Sequence, residues 1–261
     1  MNQPVAWITG ASSGIGEALA KNLVHNRYRV ILSARRKAEL ERVKSECPNP
    51  EAVKILVLDL AENSNFESKV EEAISFFGQI DLMVHNGGIS QRSLIKDTGI
   101  EVDRKLMEVN FFGTIALTKA ILPHFTRRKS GHFVVITSLV GKFASPFRSS
   151  YAASKHALHG FFDTLRAEHF RDNIAVTMVC PGFIKTQVSV NALTEDGSPL
   201  GSMDEAQANG MSPEAFAKKL FKAIQKKKEE VYIGGKETLA VYLKRFLPGV
   251  FSKIIQKAKV R

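Results

Sequence analysis

The sequence predicts an α/β fold: one doubly wound, parallel sheet of about seven strands flanked by helices. Three observations predict it. Short apolar runs recur along the chain and read as unbroken rather than alternating, as strands covered on both faces require. Stretches of helical spacing separate them, so successive strands are joined by crossovers and run parallel. The residues just after these runs are Gly, Arg, Asp, Asn and Ser, and in such sheets ligands sit beyond the carboxyl ends of the strands. A chain of 261 residues suits one large domain of this kind.

The elements follow in order. Val5-Ala6-Trp7-Ile8-Thr9 is a strand that ends in Gly10-Ala11-Ser12-Ser13-Gly14-Ile15-Gly16, and Ala18, Leu19, Leu23 and Val24 then mark a helix. Val30 to Ala34 is the second strand, followed by Arg35-Arg36 and a charged helix near 37–46. Val53 to Leu58 with Asp59, a helix near 64–77, and Asp81 to Val84 before His85-Asn86-Gly87-Gly88 come next. One long helix is expected near 101–127, then a strand from Phe133 to Ser138. A helix carrying Tyr151 extends to about Phe170, and Ile174 to Val179 lead into Cys180-Pro181-Gly182. No repeat or low-complexity segment interrupts the pattern. We divide the chain into a catalytic domain, 1–234, containing a substrate lid at 183–211, and a basic amphipathic extension of it, 235–261.

Composition narrows the classes. The hydrophobic fraction of 44% and charged fraction of 24% are ordinary for a globular protein. No apolar run reaches the length of about 18 residues that a spanning helix needs. The start, Met1-Asn2-Gln3-Pro4, leaves no room for a signal peptide before the first strand. Two cysteines, Cys47 and Cys180, suggest no disulfide framework, so a cytoplasmic location is expected. The net charge is +11, yet residues 214–261 hold 13 Lys+Arg against 4 Asp+Glu, leaving the body near neutral. A basic tail without interleaved stacking aromatics argues against nucleic acid.

The chemistry concentrates in a few places. Gly10 permits a tight turn, Gly14 lets backbone approach a pyrophosphate, and Gly16 lets helix and strand pack closely, with helix N-terminal amides facing the phosphates. No Gly-Lys-Ser/Thr follows, so the turn is not a P-loop. Sites reading NAD place an acid at the end of the second strand, whereas Ala34 and then Arg35 and Arg36 stand here. Guanidinium groups suit a 2′-phosphate. The cofactor expected is therefore NADP(H), with Arg35 the nearer contact. Tyr151 and Lys155, four apart on one helix face, make a candidate general acid/base with a neighbouring ammonium to favour the phenolate. His156 and His159 lack acidic or cysteine partners at ligand spacing, so no metal is expected.

The Thr9–Gly16 glycine motif, Asn86-Gly87-Gly88, Asn110, Ser138, Tyr151-x-x-x-Lys155 and Pro181-Gly182 together resemble the classical short-chain dehydrogenase/reductase family, from residue 5 to about 234. The resemblance implies a Rossmann fold and a catalytic tetrad of Asn110, Ser138, Tyr151 and Lys155. In that scheme Ser138 polarises a carbonyl, Tyr151 transfers a proton, Lys155 lowers the Tyr151 pKa and holds the nicotinamide ribose, and Asn110 positions Lys155. It further implies cofactor contacts from Ser12, Ser13 and Ile15 beside the three glycines, from Asp59 and Leu60 at the adenine, and from Asn86, Ile184 and Thr186. One departure is His85-Asn86-Gly87-Gly88, where the family has Asn-Asn-Ala-Gly; His85 is expected to be packed. Ser33-Ala34-Arg35-Arg36 and Asn191-Ala192-Leu193-x-x-Asp196-Gly197-Ser198 are similar to the group around dehydrogenase/reductase members 7 and 7B.

The expected function is an NADP(H)-dependent interconversion of a small-molecule carbonyl and an alcohol. A 3-oxoacyl-thioester reductase and a non-catalytic NADP-binding regulator are the alternatives; a complete tetrad favours an enzyme. Val140, Phe143, Phe147, Phe183, Val188 and Leu193 are the apolar candidates to face substrate. In the tail, Leu239, Leu243, Phe246, Leu247, Val250, Phe251, Ile254 and Ile255 form a helical stripe among Lys244, Arg245, Lys253 and Lys257, broken at Pro248-Gly249. Packing on the body, a homodimer or homotetramer interface, and peripheral contact with an anionic membrane are its three readings.

Overall fold

The computed structural model describes residues 3–258; Met1, Asn2 and 259–261, the ends of the predicted domain and extension, lie outside the described residues. Seven parallel strands form one sheet in the order β3-β2-β1-β4-β5-β6-β7. They are β1 (Val5–Thr9), β2 (Arg29–Ser33), β3 (Val53–Ile55), β4 (Leu82–His85), β5 (Gly131–Ile136), β6 (Ile174–Pro181) and β7 (Glu230–Ile233). The first three strands build outward from β1 in one direction and the last four in the other. The order therefore reverses between β1 and β4, and the crevice of a doubly wound sheet opens at that switch point.

Side-chain alternation explains the two layers. Along β1, Ala6 and Ile8 face one core while Val5 and Trp7 face the other. The first core is covered by α1 (Gly14–His25), α2 (Lys37–Ser45) and, further along the chain, α8 (Pro213–Gln225). The second is covered by α3 (Phe66–Phe77), α5 (Gly113–Arg128) and α6 (Ser149–Glu168), with α4 (Ile100–Met107) preceding α5. Both faces are buried, which is why the strands read as continuous apolar runs. Trp7 is wholly buried, and its indole N–H donates to Ser33 Oγ at 2.8 Å, so the one polar atom of this large ring is satisfied at the end of β2.

Two of the predicted elements differ by more than two residues from the sequence reading. The helix expected over 101–127 is broken by a wide π-turn at Glu108–Phe112, which separates α4 from α5 and contains Asn110. Such turns insert an extra residue and re-aim side chains, and they recur at functional sites. The strand expected over 53–58 pairs regularly only to Ile55, yet Leu56 and Leu58 still donate backbone bonds to Leu32 and Ala34.

The segment after β6 carries the short α7 (Glu205–Ala208) and is tied down by backbone bridges from Ile184 to Met211 and from Gln91 to Leu193. The chain ends in α9 (Leu239–Phe246) and α10 (Pro248–Ile255). Val241 and Phe251 pack with Leu139, Val140, Phe143 and Cys180, so one face of the tail rests on the body. Leu239, Phe246, Leu247 and Ile254 remain exposed on the other. Among the described residues, no helix is long and apolar enough to cross a membrane.

Candidate active site

A cleft of about 950 Å³ runs along the carboxyl ends of the strands, and most of the predicted residues line it. Gly10, Ser12, Ser13, Gly14 and Ile15 form its floor at the end of β1, with Arg35, Arg36, Asp59 and Leu60 at one end. Asn86, Ser138, Tyr151, Lys155, Ile184 and Thr186 line it further along. Gly16 and Asn110 do not; both are buried behind the surface.

The turn after β1 has the shape a pyrophosphate requires. Gly10 and Gly14 adopt φ of +62° and +58°, a region that disfavours side chains. A Cβ on Gly16 would lie 2.4 Å from Gly10 O, so helix and turn touch through hydrogen. Ser13 caps α1 without a side-chain bond, leaving the helix N-terminus open towards the cleft. Asn86 supports this turn from behind: its Nδ2 donates to Thr9 O and Gly10 O, both at 3.0 Å. Its side chain is therefore a strut for the turn. These residues fit a dinucleotide.

At the far end, no carboxylate follows β2. Ala34 follows the strand, and Arg35 and Arg36 are exposed, neither ion-paired among the described residues. Arg36 also occupies the N-cap of α2, where the helix dipole disfavours a cation. Asp59 accepts from Ala61 N at 3.0 Å and so shapes its own loop.

The four catalytic candidates gather around Tyr151. Ser138 accepts from Val140 N at 3.3 Å and lies near enough to Tyr151 to favour its phenolate. Asn110 is spent on structure: Oδ1 accepts from Ile89 N at 2.8 Å, while Nδ2 donates to Ile89 O and Ser154 Oγ, both at 3.0 Å. Lys155 Nζ donates to Ile136 O at 3.0 Å. A Cβ on Gly88 would lie 3.0 Å from Asn110 Oδ1 and 3.5 Å from Lys155 Nζ, so glycine lets these groups approach one another.

The electrostatics add two cations beside Tyr151. Burial pushes the Tyr151 phenol above its ordinary value, and the effects opposing it come from Arg148, from the Ser138 hydrogen bond and from Arg92. Lys155 lies 5.7 Å from the Tyr151 ring centroid with its ammonium turned to a carbonyl, and burial lowers its own pKa to about 8. Two arginines that the sequence reading did not single out thus also favour the phenolate.

The other residues singled out in the sequence are placed as follows. His85 is packed: Thr118 Oγ1 and His85 Nε2 are 2.9 Å apart, the ring stacks on Phe133, and burial depresses its pKa to about 3. A Cβ on Gly87 would meet Leu60 Cδ1 at 2.7 Å, so an alanine there would ask the leucine side chain to shift. Cys180 is a buried thiol pushed up to about 12, and burial is the main cause. Val140, Phe143, Phe183, Val188 and Leu193 line the cleft, whereas Phe147 does not. Among the described residues no cluster of His, Cys, Asp or Glu could hold a metal.

Three features escaped the sequence reading. Gln91 Oε1 accepts from Ser150 N at 3.0 Å and caps the start of the Tyr151 helix. Glu237 Oε1 accepts from Phe183 N and Gly235 N, at 3.0 and 2.9 Å, and latches the start of the tail to the Pro181-Gly182 turn. Arg92 and Arg148 share the carboxylate of Asp204. Each joins residues more than fifty positions apart, and no local pattern announces such a pairing.

A doubly wound sheet, an open helix N-terminus behind a glycine turn, and a Ser/Tyr/Lys set in the same cleft define a nicotinamide-dinucleotide oxidoreductase. A family model described as short chain dehydrogenase matches residues 4–197, and the chain belongs to the short-chain dehydrogenase/reductase family. Within it, the chain groups with dehydrogenase/reductase members 7 and 7B. It is 43% identical to a Drosophila melanogaster member 7-like protein, over 98% of this chain and 81% of that one. It is 41% identical to mouse member 7B over the same shares. A short-chain dehydrogenase from Streptomyces avermitilis superimposes with a TM-score of 0.81 at 26% identity, covering 98% and 96% of the two chains. An alcohol dehydrogenase from Thermococcus sibiricus, solved with 5-hydroxy-NADP, gives 0.74 at 27% identity over 90% and 97%.

Proposed function

We propose that the protein is an NADP(H)-dependent oxidoreductase that interconverts a carbonyl and a primary or secondary alcohol. The observation that carries this reading is the placement of Ser138, Tyr151 and Lys155 together in the cleft that the glycine turn also lines. When bound, the cofactor gives hydride to the carbonyl carbon or takes it from the alcohol carbon. Ser138 donates a hydrogen bond to the substrate oxygen and polarises it. Tyr151 gives its phenolic proton to that oxygen during reduction and takes it back during oxidation. The phenolate left after reduction is held by Ser138 and the Arg148 guanidinium until solvent restores the proton. Lys155 faces the same cleft, and Asn110 fixes Ile89 and the Gly88 turn against it. Residues 183–211 serve as the lid over the substrate.

Preference for NADP(H) is supported by Arg35 and Arg36 standing where an NAD site has an acid, and the relative solved with 5-hydroxy-NADP agrees with that choice. Two unpaired buried cysteines support a reducing, cytoplasmic setting. The exposed apolar face of α9 and α10 supports a homodimer or homotetramer; its lysines leave peripheral contact with an anionic membrane as the other outcome, which light scattering and liposome flotation separate. The reaction is tested by absorbance at the nicotinamide band across ketones, aldehydes and 3-oxoacyl thioesters, with NADPH and then NADH. We expect NADPH oxidation that Tyr151→Phe lowers by a factor of about 10² to 10⁴, the usual contribution of a positioned acid. Tight NADPH binding without turnover of any carbonyl would instead favour a regulator.

A further inference from the structure

Arg92, Arg148 and Asp204 stand in the cleft beside Tyr151, and holding the phenolate does not by itself account for a three-membered charge cluster there. Arg92 is almost wholly buried, with 2% of its side chain exposed, and Asp204 has 6%. Arg92 Nε and Nη2 both donate to the same oxygen, Asp204 Oδ2, at 2.9 and 2.5 Å. Arg148 reaches that oxygen only at 3.5 Å, through Nη2. One carboxylate is thus shared between two guanidinium groups, and its close hydrogen bonds go to Arg92.

Arg148 is left short of partners in three respects. Its side chain is 12% exposed, so water compensates little of its charge. Its Nε is buried and without a hydrogen-bond partner. It also stands at the N-cap of the 20-residue helix α6, where the helix dipole opposes a cation. Burial and the neighbouring Arg92 push its pKa down to about 10, which records the same shortfall. The other acids lining the cleft near the lid do not relieve it: Glu205 is exposed, and Glu237 is committed to the Phe183 and Gly235 amides. A dehydrated guanidinium with an idle donor is costly unless an anion completes it.

We propose that the cleft is built for a carbonyl substrate carrying an anionic oxygen group, a carboxylate or a phosphate monoester, received by Arg148 beside Tyr151. The inference rests on the oxidoreductase reading above and names its substrate class. An anionic oxygen can accept from the guanidinium's Nη groups on the part of the side chain that remains exposed to the cleft, a planar donor set suited to carboxylate and phosphate. Arg92, already held by Asp204, fixes the position of the charge. The same placement lets Arg148 favour the Tyr151 phenolate, so one side chain would both bind the substrate anion and assist proton transfer.

The test uses the whole protein with NADPH and matched substrate pairs. One arm compares 3-oxohexanoate with its methyl ester; the other compares hydroxyacetone phosphate with hydroxyacetone. In at least one arm kcat/KM should favour the charged member by roughly 10- to 100-fold, the size expected of a charge-assisted contact. The arm that shows it tells carboxylate from phosphate. Arg148→Gln should bring that ratio close to one, and Arg148→Lys should restore part of it. A loss of Tyr151 activation affects both members of a pair and cancels in the ratio. Should the glutamine variant not fold, the wild-type ratios still decide. Neutral members turned over as well as charged ones in both arms would overturn the inference and leave the oxidoreductase reading intact. No NADPH oxidation with any carbonyl, neutral or charged, would defeat that reading itself.

Discussion

Asp204→Asn isolates the contribution of the buried charge cluster. The substitution keeps the shape of the side chain and removes the one negative charge shared by Arg92 and Arg148. Breaking a buried ion pair from one side typically costs about 3 to 5 kcal/mol, because the remaining charge stays dehydrated. Here two guanidinium groups would be left, one with a side chain only 2% exposed, so the loss should reach at least the lower end of that range. At roughly 2 to 4 °C per kcal/mol for a chain of this size, the melting temperature should fall by about 6 °C or more. The protein can limit that loss by releasing residues 183–211 so that the arginines rehydrate. In that case limited proteolysis within the segment should accelerate instead. Glu101→Gln is the control, since its pair with Arg104 is 79% and 72% exposed and should be worth under about 1 kcal/mol. An Asp204→Asn variant with the wild-type melting temperature and the wild-type digestion pattern would refute the reasoning, because Asp204 would then not be holding buried charge.

Two further perturbations bear on the cofactor end and on the buried lysine. Arg35→Glu places an acid beside the end of β2; the NADPH-to-NADH ratio of kcat/KM should fall by about 10-fold or more, and an unchanged ratio would show that Arg35 does not meet the 2′-phosphate. Lys155→Met should abolish turnover yet raise the melting temperature of the cofactor-free protein at pH 7. The sign follows from a folded-state pKa lowered from 10.5 to about 8 by burial: below pH 8 the fold carries the cost of a dehydrated ammonium, and the unfolded chain binds more protons between pH 8 and 10.5. The advantage of methionine should therefore shrink as the pH rises through that window; a gain that persists unchanged to pH 10.5 would assign it to packing rather than charge.

The fold was legible because local and long-range preferences agree. The central strands read as apolar runs since both faces are covered, and Gly10, Gly14 and Gly16 mark a place where backbone must come close. The π-turn at Asn110 was not legible: the helical spacing of 101–127 continues across it, and the extra residue shows only once Asn110 is seen tied to Ile89 and Ser154. The strand β3 read too long for a related reason, since Leu56 and Leu58 are buried whether or not regular pairing continues.

The site divides along the same line. Tyr151 and Lys155 are four residues apart and could be paired by counting, whereas the arginines beside the phenol could not. Lys155 Nζ has a carbonyl to bond at Ile136, whereas Arg148, three residues before Tyr151 and one residue before the helix begins, is brought to the phenol by the turn of the chain. Its ion partner Asp204 is 56 positions further on, in the segment that crosses the cleft. The charge that would bind substrate and the charge that tunes the acid are thus set by how that segment lies over the sheet. Changes between residues 183 and 211 should consequently alter both substrate choice and the pH at which Tyr151 works, even where they touch none of the four predicted catalytic residues.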